Sequence, residues 1–334
     1  MFDWMQPELR RLLSQKQRLS HALLFVGPRG IGKQALSLAL AQGLLCESPG
    51  ADDMACGECR ACHWFAADTH PDFRKIEPLT ESGADKSSKD RPVKSSSWIT
   101  IEQIRELHEF VSVSGHRGGR KIILITPAEA LNASAANALL KNLEEPPSQT
   151  HFILVSHRPH RLPRTLVSRC RQLGLRAPAR ETALTWLRSQ GVNDPEVALA
   201  QASGAPLLAL DMSGGDEFSL RKDFLSRIAS GQFDPLAMAE TFRDLPIAHS
   251  INWLQKWTYD IAAQRMLGQI RYNPDLGREL ARIAKQVEPL PVLRLHRRLV
   301  REQRLVDHPL NGRMYLESLL LAYAALVNPQ TTPA

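Results

Sequence analysis

Four of the five cysteines crowd into one short stretch, as Cys46 followed by Cys56-Gly57-Glu58-Cys59-Arg60-Ala61-Cys62. Two consecutive Cys-x-x-Cys steps with one further cysteine upstream supply four thiolates. That is enough to close a tetrahedral zinc site with no position left for water, which makes such a site structural. His63 stands beside the set, so a site of three cysteines and one histidine is the competing choice of ligands. A second group is the loop Gly27-Pro28-Arg29-Gly30-Ile31-Gly32-Lys33-Gln34. Gly27, Gly30 and Gly32 would let backbone N–H groups converge on phosphate, and Lys33 could reach the terminal phosphates. The last position of an active phosphate loop offers a Ser or Thr hydroxyl to magnesium. Gln34 occupies it here, and its longer side chain does not reproduce that geometry. The loop therefore speaks for a fold more strongly than for an activity.

A phosphate loop must leave a strand and enter a helix, and this one does. The apolar run HALLFV precedes it at 21–26, and KQALSLALAQGLL follows. Buried-strand patterns predict strands at 121–125 (KIILI) and 151–156 (HFILVS); 73–78 reads as a further strand, and 172–175 could close the sheet as a fifth. The alanine-rich segment NASAANALLKNLE predicts a helix over 132–144 that packs closely, and strands alternating with helices predict a parallel sheet covered by helices. Thr100 and Gln103 have capping-box spacing. They open a helix over 101–113 that places Ile101, Ile104, Leu107, His108 and Val111 on one side, with His108 read as a packed or edge histidine. The polar stretch 80–97 has no apolar period and predicts a mobile loop. From 178 onward the pattern is helical. Three short helices are expected at 180–190, 195–202 and 206–212, then a linker at Gly214-Gly215, then helices to about 327.

With 334 residues, 43% hydrophobic and 23% charged, the chain suits two or three globular domains. The net charge of +7 is spread out: residues 213–334 hold 16 Lys/Arg against 13 Asp/Glu. Such a distribution favours weak electrostatic help near DNA over a dedicated binding arm. No stretch reads as a secretory signal, and the apolar run near 316–327 is too short to span a bilayer. Crowded thiols without an export signal point to metal rather than disulfides. The expectation is a cytoplasmic protein with no membrane partner.

The segment NALLKNLEEPP at 137–147, followed a strand later by LPRTLVSRC at 162–170, resembles the clamp-loader branch of the AAA+ proteins, and the resemblance extends over most of the chain. It implies an α/β fold: an AAA+ phosphate-loop sheet domain over 1–177 with an inserted zinc module at 46–62, a small helical lid over 178–212 and an all-α collar over 213–334. In active members the strand equivalent to 121–125 ends in an Asp for magnesium and a Glu to activate water. Thr126 and Pro127 stand there, and neither does either job. Glu129, two residues on, is expected to have left the strand end. Ser156 takes the polar sensor position, and Leu207 the place of a second sensing arginine. Arg169, inside Ser168-Arg169-Cys170, matches the arginine that these subunits place in a neighbour's ATP site. Cys170 reads as a small buried residue.

The resemblance therefore implies a non-hydrolysing stator subunit of the bacterial DNA polymerase III clamp loader, no enzyme in isolation. It would hold structural zinc and bind ATP weakly or not at all. Its partners would be the clamp-loader motor subunits and the clamp-opening subunit, with the sliding clamp reached indirectly and primed DNA through the complex. Two other readings stand beside it. One is an ATP-hydrolysing motor subunit, opposed by Gln34, Thr126 and Pro127. The other is a zinc-module nucleic-acid-binding protein, which Arg60, His63 and Trp64 favour and Asp52, Asp53 and Glu58 oppose.

Overall fold

A computed structural model of the chain describes residues 1–79, 96–112, 119–230, 233–303 and 311–328. Residues 80–95 of the loop expected at 80–97, and Val113 at the expected end of its helix, lie outside them. The chain divides into two compact units, Met1–Ala179 and Arg180–Ala334.

The first unit runs α1 (Gln6–Ser14), β1 (Ala22–Val26), α2 (Lys33–Leu45), α3 (Arg60–Ala66), β2 (Phe73–Ile76), α4 (Ile101–Ser112), β3 (Lys121–Ile125), α5 (Ala133–Glu144), β4 (Thr150–Ser156), α6 (Arg164–Val167) and β5 (Arg171–Gly174). The five strands form one sheet in the order β2-β3-β4-β1-β5, every pair parallel. Every residue of β3 is buried, as a central strand covered on both faces requires. Even Lys121 is accommodated, because its ammonium donates to the Phe110 carbonyl and sits 4.3 Å from the centre of the Phe110 ring. Asn132 lies just before the helix predicted over 132–144 and caps it, its side chain accepting from the Ala135 N–H at 2.8 Å. Gln103 likewise accepts from the Thr100 N–H at 3.0 Å at the start of α4. His108 is exposed on α4, its Nδ1 3.1 Å from Asn142 Oδ1. Parallel pairing sets Val26 beside Ser156 on one side and beside Gly174 on the other. The strand ends from which function is read thus share one edge of the sheet.

The second unit is all helical among the described residues: α7 (Arg180–Ser189), α8 (Pro195–Gln201), α9 (Pro206–Ser213), α10 (Glu217–Ala229), α11 (Pro235–Thr241), α12 (Ile247–Leu267), α13 (Gly277–Gln286), α14 (Pro289–Glu302) and α15 (Gly312–Val327). Its core gathers Phe224, Trp253 and Trp257 with Leu280, Leu299 and Leu320. The Trp257 indole N–H donates to the Tyr323 hydroxyl at 2.9 Å, which settles both polar atoms of that buried pair.

A second buried element of this unit is polar. Asp260 of α12 is fully buried and accepts from the backbone N–H groups of Arg271, Tyr272 and Asn273 at 2.9, 3.0 and 2.8 Å. Burial raises its pKa above the ordinary carboxylate value, and these N–H donors oppose the rise. Arg221 of α10 is 1% exposed and forks onto Asp275 at 2.9 and 3.0 Å, with a third bond to Asn273 Oδ1 at 2.6 Å. From α8, the Gln201 amide donates to the Tyr272 carbonyl at 2.6 Å and to Asn273 Oδ1 at 3.0 Å. One network thereby joins the short helices at the start of the unit to the long ones that follow.

Candidate functional site

The phosphate-type loop leaves β1 at Val26 and enters α2 at Lys33. All three of its glycines hold positive φ. A Cβ at Gly27 would stand 2.3 Å from the Leu175 carbonyl oxygen, and Gly32 holds φ at 102° while capping α2. Lys33 is buried, and its ammonium donates to the loop's own carbonyls, Gly27 O at 2.7 Å and Pro28 O. Burial lowers its pKa to about 8, with the Glu129 charge pulling the other way. Gln34 is exposed on α2.

At the end of β3, Thr126 is buried and its backbone N–H donates to Ile76 O at 2.9 Å, continuing the pairing with β2. Glu129 has left the strand, as expected, and lies in a 3-10 turn, Ala128–Ala130. That turn nevertheless carries its carboxylate back to the shared sheet edge. There it accepts the His157 N–H at 2.9 and 3.2 Å and lies within the field of Lys33. Ser156 is fully buried beside it, and its hydroxyl accepts from the Arg158 N–H at 3.2 Å. His157 has its pKa lowered, chiefly by burial and then by the Lys33 charge. The tertiary turn makes Glu129 a carboxylate of this site.

The N-terminal segment also belongs to the site, and nothing in the sequence pattern announced it. The Phe2 and Trp4 rings stack 4.9 Å apart at an interplanar angle of 11°. The Trp4 indole N–H donates to Ile31 O at 2.9 Å. A Cβ on Gly32 would meet Phe2 Cδ2 at 2.9 Å. Two stacked aromatics therefore lie directly against the phosphate-type loop.

Past α6, Arg169 points its guanidinium at the end of α5. It forms an ion pair with Glu144 and donates to the Thr165 carbonyl at 2.8 Å, with 35% of the side chain exposed. Cys170 packs against the sheet core, and burial raises its thiol to about 11, which leaves it protonated and unreactive at neutral pH. Leu207 lies in α9 of the second unit, half-buried.

The four clustered cysteines converge. Their sulfurs lie within 4.8 Å of one another and could hold a metal ion. Sulfurs at tetrahedral positions around zinc, with bonds of about 2.3 Å, stand roughly 3.8 Å apart. Cys46–Cys56, Cys46–Cys59 and Cys56–Cys62 are separated by 3.6, 3.8 and 4.0 Å, which fits. Backbone N–H groups of Cys56, Cys59 and Cys62 donate to the sulfurs of Cys46, Cys56 and Cys59 at 3.3–3.4 Å and would stabilise thiolate charge. Burial raises the Cys59 thiol, but the N–H groups of Cys62 and Glu47 and the neighbouring thiols outweigh it and hold it at about 6. His63 is exposed and outside the set, so among the described residues the donors are four sulfurs.

Residues 5–179 match the family described as DNA polymerase III, delta subunit, and residues 216–324 match that described as DNA polymerase III, delta subunit, C terminal. The chain is 34% identical to DNA polymerase III subunit delta' of Pseudomonas aeruginosa, over 98% of this chain and 99% of that one. It is 31% identical to DNA polymerase III subunit delta' of Escherichia coli, over 98% and 96%. DNA polymerase III subunit tau of Bacillus subtilis is 30% identical, over 65% of this chain and 35% of its own length.

Proposed function

The chain belongs to the DNA polymerase III delta-prime family of clamp-loader subunits, and from that premise we propose that it is the complex's non-hydrolysing stator. In this reading the sheet unit presents Arg169 to the ATP site of a neighbouring motor subunit. The helices after Ser213 form the collar that joins the ring, those over 180–212 being the lid. The partners are motor subunits and a clamp-opening subunit. Through them the chain serves the sliding clamp and primed DNA in the cytoplasm.

The observation that carries the reading is the state of the phosphate-type loop and the strand end beside it. Hydrolysis needs a hydroxyl and a carboxylate on magnesium and a base for water. Gln34 is exposed and Thr126 uses its backbone to pair with β2. Pro127 has no acid–base group, and the Lys33 ammonium is engaged by its own loop. Glu129 is the feature that favours a motor subunit, yet its two oxygens already accept the His157 N–H.

The purified chain should show no steady-state ATP turnover above a mock preparation. Gln34→Thr or Thr126→Asp alone should not create any, because the missing functions are separate. Turnover that Lys33→Ala abolishes would refute the stator reading.

The four-cysteine set fits structural zinc, with Cys46, Cys56, Cys59 and Cys62 as ligands. The metal would cross-link the 46–62 segment and supply no reactive water, because four thiolates leave no open position. Elemental analysis should find one zinc per chain in protein prepared without chelator, falling to background in Cys59→Ser. Circular dichroism of that variant should keep most of the helical signal. A wild-type preparation free of stoichiometric zinc would remove the assignment.

A further inference from the structure

The positive charge of residues 213–334 looks dilute along the chain, but one helix face concentrates its arginines. In α14, Arg294, Arg297, Arg298 and Arg301 recur at i, i+3, i+4 and i+7. At about 100° per residue they fall within an arc of roughly 100°, and with a rise of about 1.5 Å they form a row about 10 Å long. Val292, Leu295 and Leu299 occupy the opposite side and are buried in the core, which fixes the arginines outward. All four are exposed. Together with Glu302 they line a surface groove of about 430 Å³.

The one acid among the groove's described lining residues is already used. Glu302 accepts Arg298 Nε at 2.7 Å and the Tyr315 hydroxyl at 2.8 Å, and Arg298 also donates to Ser318 at 2.9 Å. Arg294, Arg297 and Arg301 form no hydrogen bond or ion pair among the described residues. Three unpaired guanidinium groups on one helix face repel one another, so an anion that spans them is favoured.

From this we infer that the exposed face of α14 binds the phosphodiester backbone of nucleic acid. Guanidinium forks match phosphate oxygens two at a time, which lysine does not do. A row of this length faces a polyanion carrying one charge about every 3.4 Å of strand. Among the described residues the groove offers no base-reading amide and no aromatic platform, so the contact they make is blind to sequence. An acidic protein surface is the competing partner, since exposed Leu293 and Val300 flank the row. Among the described residues, however, the groove is lined by charged side chains alone, without the apolar centre of a protein interface. The inference concerns the isolated chain and stands or fails apart from the stator reading.

The test is fluorescence anisotropy of a labelled twenty-residue oligothymidylate titrated with the full chain between about 50 and 200 mM salt. The wild type should bind, with affinity falling steeply as salt rises. Substituting three arginines, R294Q/R297Q/R301Q, should weaken binding at least tenfold at the lower salt. It should also flatten the slope of log affinity against log salt by about 2, at roughly 0.7 per phosphate contact on a single strand. The triple lysine variant should keep the slope. Thermal melts should coincide, because the changed side chains are exposed. Wild type that fails to bind at the lower salt, or a triple glutamine variant that keeps affinity and slope, would overturn the inference. So would polyglutamate that displaces the oligonucleotide at equal charge concentration, which would assign the face to an acidic protein.

Discussion

Arg169→Ala should leave the reconstituted clamp loader assembled at the same size while its ATP-driven clamp loading falls. A guanidinium that meets the transferring phosphoryl group stabilises charge developing in the transition state, and an arginine supplied from a neighbour is worth about 10³–10⁵ in rate at its site. That corresponds to roughly 4–7 kcal/mol. The drop in total turnover should be far smaller than this, because one stator completes one site of the ring. The unassembled chain is well arranged for such a role. Glu144 at the end of α5 and the Thr165 carbonyl hold the guanidinium, yet 35% of the side chain remains exposed to a partner. Arg169→Lys should recover little, since an ammonium cannot reproduce the fork. Single-turnover rates in complexes whose other sites are disabled by mutation would expose the full per-site loss. A complex that assembles with Arg169→Ala and loads clamps at the unmodified rate would eliminate the role. Failure to assemble would make Arg169 an interface residue, with Glu144 its local partner.

The largest expected effect on stability lies in the second unit, at Arg221. Its guanidinium is 1% exposed, and three of its bonds end on Asp275 and Asn273. Removing one partner of a buried ion pair leaves the other uncompensated, at a cost of about 3–5 kcal/mol. Asp275 keeps 17% of its side chain in solvent, which places Arg221→Ala near the lower end of that range. For a unit of this size, 3 kcal/mol lowers the melting temperature by roughly 6–12 °C. Arg221→Lys should restore only part, because one ammonium cannot reach both Asp275 oxygens and Asn273 in the same plane. Differential scanning calorimetry of the full chain would resolve the shift, with the transition of the sheet unit as internal reference. A melt within 2 °C of the wild type would mean that the Asp260 network holds without its arginine. Because Gln201 of α8 shares the Asn273 oxygen with Arg221, the same substitution should also loosen the helices over 180–213. Hydrogen exchange at α8 would report that loosening.

Periodicity and spacing alone determined much of this protein. Apolar runs bounded by turns marked the three inner strands β1, β3 and β4, since a strand buried on both faces must be apolar throughout, whereas the edge strands β2 and β5 are more polar. Thr100 and Gln103 marked a helix start because capping is chemistry between near neighbours in sequence. The two Cys-x-x-Cys steps marked a metal-competent set for the same reason, and the sulfurs do converge. Gln34 was legible as a departure from the phosphate-loop pattern, and Thr126 and Pro127 as departures from what the family resemblance implies at the end of that strand.

What required the tertiary structure was every relation between residues distant in the chain or averaged over it. Glu129 was assigned away from the site by counting along a strand. A 3-10 turn folds its carboxylate back to the N–H of His157, 28 residues later. Nothing in the sequence pattern marked Phe2 and Trp4, and only folding sets them against Gly32 and Ile31. The pairing of Arg169 with Glu144 depends on how α6 meets the end of α5, which no local pattern encodes. The buried charges of the second unit were invisible for a sharper reason. Arg221 and Asp260 are charged residues that periodicity assigns to solvent. Inside, Asp260 is met by the N–H groups of a loop 11–13 residues beyond it, and Arg221 by Asp275 and the Asn273 side chain on the same loop. Charge counting over residues 213–334 averaged away the arginine row of α14. Its meaning rests on which side of that helix the core occupies, and burial, unlike composition, is a property of the fold.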